Sequence, residues 1–246
     1  MSFVEWMARL AAVAVGVAAL ELLVMRRALS DTGVFAWPVL RRDMRVRWLA
    51  DLVFAYPSTI AILVLQLAAA VALPLLDHPA PAWIAFATCL AISVRFRGSY
   101  NGGSDSMLLV VTLSIALART SPALERVALG YCAAHLVLSY LLAGVAKMGD
   151  RAWRDGRALA ILVELPQYRV PRTIAALVRP LSSIGSWAIL VFELAFPLAF
   201  ASPIACTVLL CMGAAFHVAN AITFGLNRFL WAWIAAYPAL LYWVQR

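Results

Sequence analysis

Long apolar runs alternate along this chain with short breaks rich in Arg, Pro and Gly. A membrane-crossing helix needs about 20 apolar residues. At that length the pattern predicts spans at Phe3–Met25, Leu49–Leu76, Trp83–Phe96, Met107–Ala118, Ala128–Lys147, Ile184–Ala201, Pro203–Leu226 and Phe229–Val244. The third and fourth are short, so the count is about eight, or six if those two form a re-entrant pair. The runs are rich in Leu, Ala and Val without period-two alternation, which excludes a membrane barrel. The fold class expected is an all-α, polytopic transmembrane helix bundle. Two longer loops, 26–48 and 148–183, mix Arg with Trp, Val, Leu and Pro, as interfacial amphipathic segments do. In the second, Ala158–Leu165 and Thr173–Val178 read as short helices broken by Pro166, Pro171 and Pro180.

Composition hardens this picture. Of 246 residues, 65% are hydrophobic and 13% charged, against about 25% charged in ordinary soluble domains. A globule this small cannot hide so much apolar surface, so a soluble single-core enzyme is excluded. The net charge of +8 comes from 20 basic residues, mostly in loops. Its reading is topological: excess Arg marks cytoplasmic loops, and nucleic acid is not an expected partner. All but Arg9, Arg119, Arg126 and Arg246 fall on one face in an eight-span arrangement. The expected location is the cell membrane, with the Arg-rich loops cytoplasmic. Residues 1–246 read as one transmembrane domain, with no soluble domain and no removed signal peptide. Cys89, Cys132, Cys206 and Cys211 lie in apolar runs without metal-ligand spacing and read as buried hydrophobes; no metal site is expected.

Ionisable and amide side chains inside spans are functional candidates, because lipid penalises them. Glu193 sits mid-span, and a buried partner is expected for it, either His217 or a backbone group. His217 shares a helix face with Asn220 and Phe224. Tyr131, His135 and Ser139 form a polar stripe suited to interhelical bonding. Ser99 to Asp105 is a polar, flexible stretch. Lys147 is the single lysine, where every other basic position is Arg. Tyr140, Ala143, Gly144 and Lys147 share one face, small residues letting a second helix approach. An amine can give up its proton where a guanidinium cannot, so Lys147 is the candidate base. Arg151 and Arg154 are expected one and two turns further along the same helix, where they would disfavour a charged amine.

The run Tyr140-Leu-Leu-Ala-Gly-Val-Ala-Lys147, followed by Trp153-Arg-Asp-Gly156, resembles the signature of the HTTM family. That family is the membrane module of vitamin K-dependent gamma-carboxylases and their bacterial relatives. Ser99-Tyr100-Asn101, Glu193-Leu-Ala-Phe-Pro197 and Phe216-His217-Val-Ala-Asn220 are similar to further family elements. The resemblance implies Lys147 as the base that deprotonates a reduced naphthoquinone (menaquinol or vitamin K hydroquinone). O2 then attacks, and the alkoxide formed abstracts a carbon-bound proton from the substrate. With it go His217 in catalysis and Asn101, Asn220, Tyr140 and Trp153 at the cofactor, while Glu193, Asp105 and His135 are read as structural or proton partners. The function expected is a quinone-linked oxidative enzyme or enzyme subunit acting on a peptide or small molecule. The alternative is a non-catalytic membrane subunit of a secreted-peptide (toxin) maturation complex. Membrane lipid and proteins of such a complex are the expected partners.

Overall fold

The computed structural model describes residues 1–43, 47–97 and 102–245, without the side chains of residues 43, 47, 49 and 102. Asn101 therefore lies outside the described residues. The described residues are helical, with no strand among them. Four stretches are long and apolar enough to cross a membrane: Phe3–Val24, Pro122–Gly149, Arg172–Phe200 and Pro203–Phe224. The chain divides into two compact units, Met1–Leu129 and Gly130–Arg246.

In the first unit, α1 (Phe3–Val24) opens with a capping box in which Ser2 and Glu5 satisfy each other's backbone N–H. This is a strong helix-start device. Two short turns, α2 (Arg26–Leu29) and α3 (Trp37–Leu40), lead to α4 (Arg47–Phe54). α5 (Tyr56–Ala72), α6 (Pro79–Arg95) and α7 (Gly102–Thr120) follow. α1 packs on α5 and α7, and α6 packs on both α5 and α7.

Two expectations change here. The single run Leu49–Leu76 is two helices: Pro57 falls in the first turn of α5, where its missing N–H costs nothing, and the chain breaks just ahead of it. α4 stays with the segment before it, where Asp51 accepts a 2.7 Å bond from Trp37 Nε1 and pairs with Arg41. Arg95, counted with the loop arginines of the basic face, is instead a fully buried residue in α6. Its guanidinium donates to the Leu29, Phe35 and Phe54 carbonyls and to the Thr59 hydroxyl at 3.0–3.3 Å. It therefore gathers carbonyls from the ends of α2 and α4 and from the turn just ahead of α3.

The second unit begins within α8 (Pro122–Gly149). Asp150 caps the next short helix, α9 (Arg151–Arg154), through Ala152 N–H at 2.7 Å. α10 (Ala158–Leu162), α11 (Arg172–Val178) and α12 (Ser182–Ala195) come next. The breaks fall at Pro166 and Pro171, as expected, while Pro180 lies in a tight 3₁₀ turn. Pro197, which lacks an N–H, turns the end of α12 into the 3₁₀ stretch Phe196–Phe200. α13 (Pro203–Phe224) starts on a Ser202 cap and stops at Gly225, whose φ of 70° suits only glycine well. α14 (Asn227–Val244) packs back on α13.

The exposed side of α13 carries Ile204, Val208, Met212, Val218 and Ile222. A helix that is apolar on its open face is built for lipid rather than water. Cys211 is exposed on this helix, unlike the other three cysteines, because it falls outside the inward face.

Candidate functional site

Small residues bring α8 and α12 together. A Cβ on Gly144 would lie 3.0 Å from Leu194 Cγ and 3.1 Å from Glu193 Cβ, so glycine lets the two helices approach closely. One turn further along α8, Lys147 Nζ reaches both Glu193 carboxylate oxygens at 2.7 Å. The carboxylate side chain is 2% exposed and the amine side chain 22%. The partner of Glu193 is thus Lys147 and not His217. Charge decides this, since a buried carboxylate gains most from the nearest cation.

Arg151 and Arg154 do not extend the helix beyond Lys147. Once Asp150 has capped α9, Arg151 pairs with Asp155 at 3.3 Å and Arg154 donates to the Met148 carbonyl at 2.6 Å. Trp153 on the same short helix offers its ring face to Lys147 Nζ at 5.3 Å. Gly156 has φ of 70°, and a Cβ there would fall 2.5 Å from Ser183 Oγ. The glycine of the Trp153–Gly156 motif is therefore a backbone requirement.

On α13, His217 Nε2 lies 2.8 Å from the Tyr140 hydroxyl, which lies 3.1 Å from the Tyr237 hydroxyl of α14. Tyr140 stacks on Phe196 with centroids 3.9 Å apart, and Trp233 tilts against His217 at 5.3 Å.

These side chains enclose one cavity of about 170 Å³. Lys147, Glu193, His217 and Asn220 supply its polar groups, and Tyr140, Phe216, Phe229 and Trp233 its flat walls. A second cavity of about 130 Å³ shares Lys147, Phe216 and Asn220 with it and adds Trp153, Leu159, Leu162 and Tyr168. Each is small beside the usual range for small-molecule sites, which starts at about 300 Å³. Such a site pairs apolar walls with a few convergent polar groups, and here an amine, a carboxylate, an imidazole and an amide converge.

Of the residues singled out from the sequence, Lys147, Glu193, Tyr140, His217, Asn220 and Trp153 come together around these two cavities. His135 lies apart on α8, half-buried, with its ring against Tyr131 at 6.0 Å. Asp105 is buried near the start of α7 in the first unit. Tyr237 escaped the sequence reading because nothing distinguishes it from its aromatic neighbours in α14. The Lys147–Glu193 pair was open to charge matching, a lone lysine against a mid-span carboxylate. Comparison with family models, with curated proteins and with solved structures returned no match.

Proposed function

We propose that the second unit binds a flat, weakly acidic ring within the membrane and removes a proton from it, with a reduced naphthoquinone as the ligand. The whole chain is then an integral membrane protein of about eight spans, resembling the carboxylase module. What supports this reading is one observation: Lys147, Glu193, His217 and Asn220 line a single aromatic-walled cavity. The fit is chemical. The walls suit a planar ring, the Asn220 amide makes no hydrogen bond among the described residues, and His217 Nδ1 is buried without a partner among them. Lys147, Asn220, His217 and Tyr140 would hold the ring, with Trp153 beside the amine. When bound, a reduced naphthoquinone would supply an ionisable hydroxyl and two reducing equivalents, with O2 as the oxidant.

The chain's own part is proton handling. The Lys147 ammonium passes a proton to the Glu193 carboxylate over 2.7 Å, discharging both groups. The neutral amine is then competent to take a hydroxyl proton, becoming an ammonium again. Each proton moved is accounted for: the ligand loses one and the carboxyl gains one. The low-polarity surroundings make this exchange easier than in water, because separated charges are costly there.

Organic extraction of protein purified in mild detergent, followed by mass spectrometry, tests the reading. A quinone recovered in stoichiometric amount is expected. Its absence, together with no binding of added menadione, would overturn the proposal. The Arg-rich loops 26–48 and 148–183 are placed on the cytoplasmic side by the excess of basic residues in them. Single cysteines introduced at Ser30 and Ser183 are then expected to resist an impermeant reagent in intact cells, and labelling at either would refute that orientation.

A further inference from the structure

In the first unit α5 and α6 lie side by side, yet they do not close on each other along their whole length. At the end where residues 73–78 join them, a groove of about 290 Å³ runs between Leu65, Ala68 and Ala72 on one side and Pro81 and Ile84 on the other. The slot exists because Ala68, Ala69, Ala72 and Ala80 place methyl groups where Leu or Ile would fill the space. Leu65 and Ala72 are about 10 Å apart along α5 at 1.5 Å per residue. The groove therefore descends from the connecting turn well into the apolar helix pair.

Its lining is apolar except at the rim, where His78 is the N-cap of α6. His78 Nδ1 accepts the Ala80 N–H at 3.1 Å. A ring nitrogen that accepts carries no proton, so the proton of this neutral imidazole is on Nε2. The His78 side chain is exposed and so offers one N–H donor at the mouth. Arg119 of α7, the cation that meets this turn, is already engaged. It donates to the Leu73 and Leu76 carbonyls at 3.0 and 3.2 Å and stands 3.8 Å from Asp77 Oδ1. Leu65, Val71, Leu75 and Leu76 are exposed around the groove, an apolar border suited to hydrocarbon rather than water.

We infer that this groove holds one acyl chain of a membrane phospholipid, with an ester carbonyl of that lipid accepting from His78 Nε2. Size sets the first limit. An apolar cavity of about 150 Å³ takes benzene, so this one takes roughly a dozen carbon atoms, while a whole helix, about 10 Å across, does not enter it. Left empty, the walls would forfeit their dispersion contacts, and the bilayer supplies chains to restore them. Depth sets the second limit: the donor stands at the start of α6, where hydrocarbon gives way to the headgroup region. Charge sets the third. The carboxylate of a free fatty acid would meet Asp77 and a neutral N–H, with Arg119 already committed, whereas an ester needs only the donor.

Native mass spectrometry of the full chain, released from mild detergent supplemented with palmitoyl-oleoyl phosphatidylcholine, tests this. The wild type is expected to carry one phospholipid per chain. Ala68→Phe fills the groove and is expected to lose it, while Ala61→Phe, exposed on α5 outside the groove, keeps it. Ala72→Leu is a smaller filling that gives the same reading if Ala68→Phe does not fold. His78→Ser keeps a capping oxygen but not the outward N–H, and half-occupancy is expected to need about tenfold more lipid, the equivalent of one hydrogen bond. No lipid on the wild type, or equal retention in the filled and control variants, overturns the inference. A lipid-free wild-type dimer that Ala68→Phe converts to monomer assigns the groove to a second copy and overturns it too. Unchanged affinity in His78→Ser overturns the ester contact.

Discussion

Removing Lys147 is expected to destabilise the protein more than removing Glu193, although each deletion breaks the same pair. With charges about 2.7 Å apart and an effective dielectric near 20, their attraction is roughly 6 kcal/mol. Most of it offsets the loss of hydration on burial, so the pair as a whole contributes little. Breaking it is another matter. Lys147→Met leaves a carboxylate that is 2% exposed facing no cation, at a cost of about 3–5 kcal/mol. Glu193→Leu leaves an amine that is 22% exposed, with a Trp153 face at 5.3 Å. It keeps some water and a cation–π contact, so about 1–3 kcal/mol is expected. The double variant Lys147→Met/Glu193→Leu removes both charges and is expected within about 1 kcal/mol of wild type. Reversible unfolding in mixed micelles at fixed lipid ratio measures all four members of the cycle. If Lys147→Met loses under about 1 kcal/mol, or the double variant loses the sum of the singles, the buried-pair reasoning is wrong.

Lys147→Arg separates chemistry from packing: it retains a cation for Glu193, so folded protein accumulates normally, while deprotonation of added menadiol, the reduced form of menadione, falls to the level of Lys147→Met because guanidinium keeps its proton. Full activity in the Arg variant would remove Lys147 from the role of base. Arg95→Met removes the guanidinium from the Leu29, Phe35 and Phe54 carbonyls, although Phe54 keeps its bond from the Thr59 hydroxyl, and is expected to cost about 2–4 kcal/mol. Hydrogen exchange should rise first in residues 26–55, and protection unchanged there would show that the guanidinium is dispensable. Gly144→Val places atoms where Leu194 and the Glu193 Cβ already lie, a loss of about 1–3 kcal/mol by overpacking. Menadione affinity should fall with it, and an unaltered melting temperature would mean that α8 and α12 are not in close contact.

Helix ends were readable because they are chemically local. Ser202 and Pro203 start α13, Gly225 stops it, and Pro166 and Pro171 punctuate the interfacial segment, each acting within a few residues. The stripe of Tyr140, Ala143, Gly144 and Lys147 was readable for the same reason, since helical periodicity alone puts these residues on one face. Partners were not. Glu193 and Lys147 are 46 residues apart in the chain, and only the packing of α12 on α8 selects Lys147 over His217. By sequence Arg95 falls with the loop arginines, because its role depends on carbonyls contributed from three separate places. Tyr237 is one aromatic among several in α14, and its hydroxyl gains meaning only beside Tyr140. The break at Pro57 was there to be read, but continuous hydrophobicity across 49–76 outweighed it.

α10 has no cap of its own. Its first free amides are met by serines from α12: Ala160 N–H donates to Ser182 Oγ at 2.9 Å and Leu159 N–H to Ser186 Oγ at 3.4 Å, while Ser182 Oγ in turn donates to the Gly156 carbonyl at 2.9 Å. A five-residue helix does not persist alone in water, so this one waits for its serines. During synthesis the chain from Gly156 to Leu162 leaves the ribosome more than twenty residues ahead of Ser186. Leu159 and Leu162 therefore take up their places in the wall of the second cavity only after α12 has been made. The second cavity is finished late in biosynthesis, by the same helix that delivers Glu193.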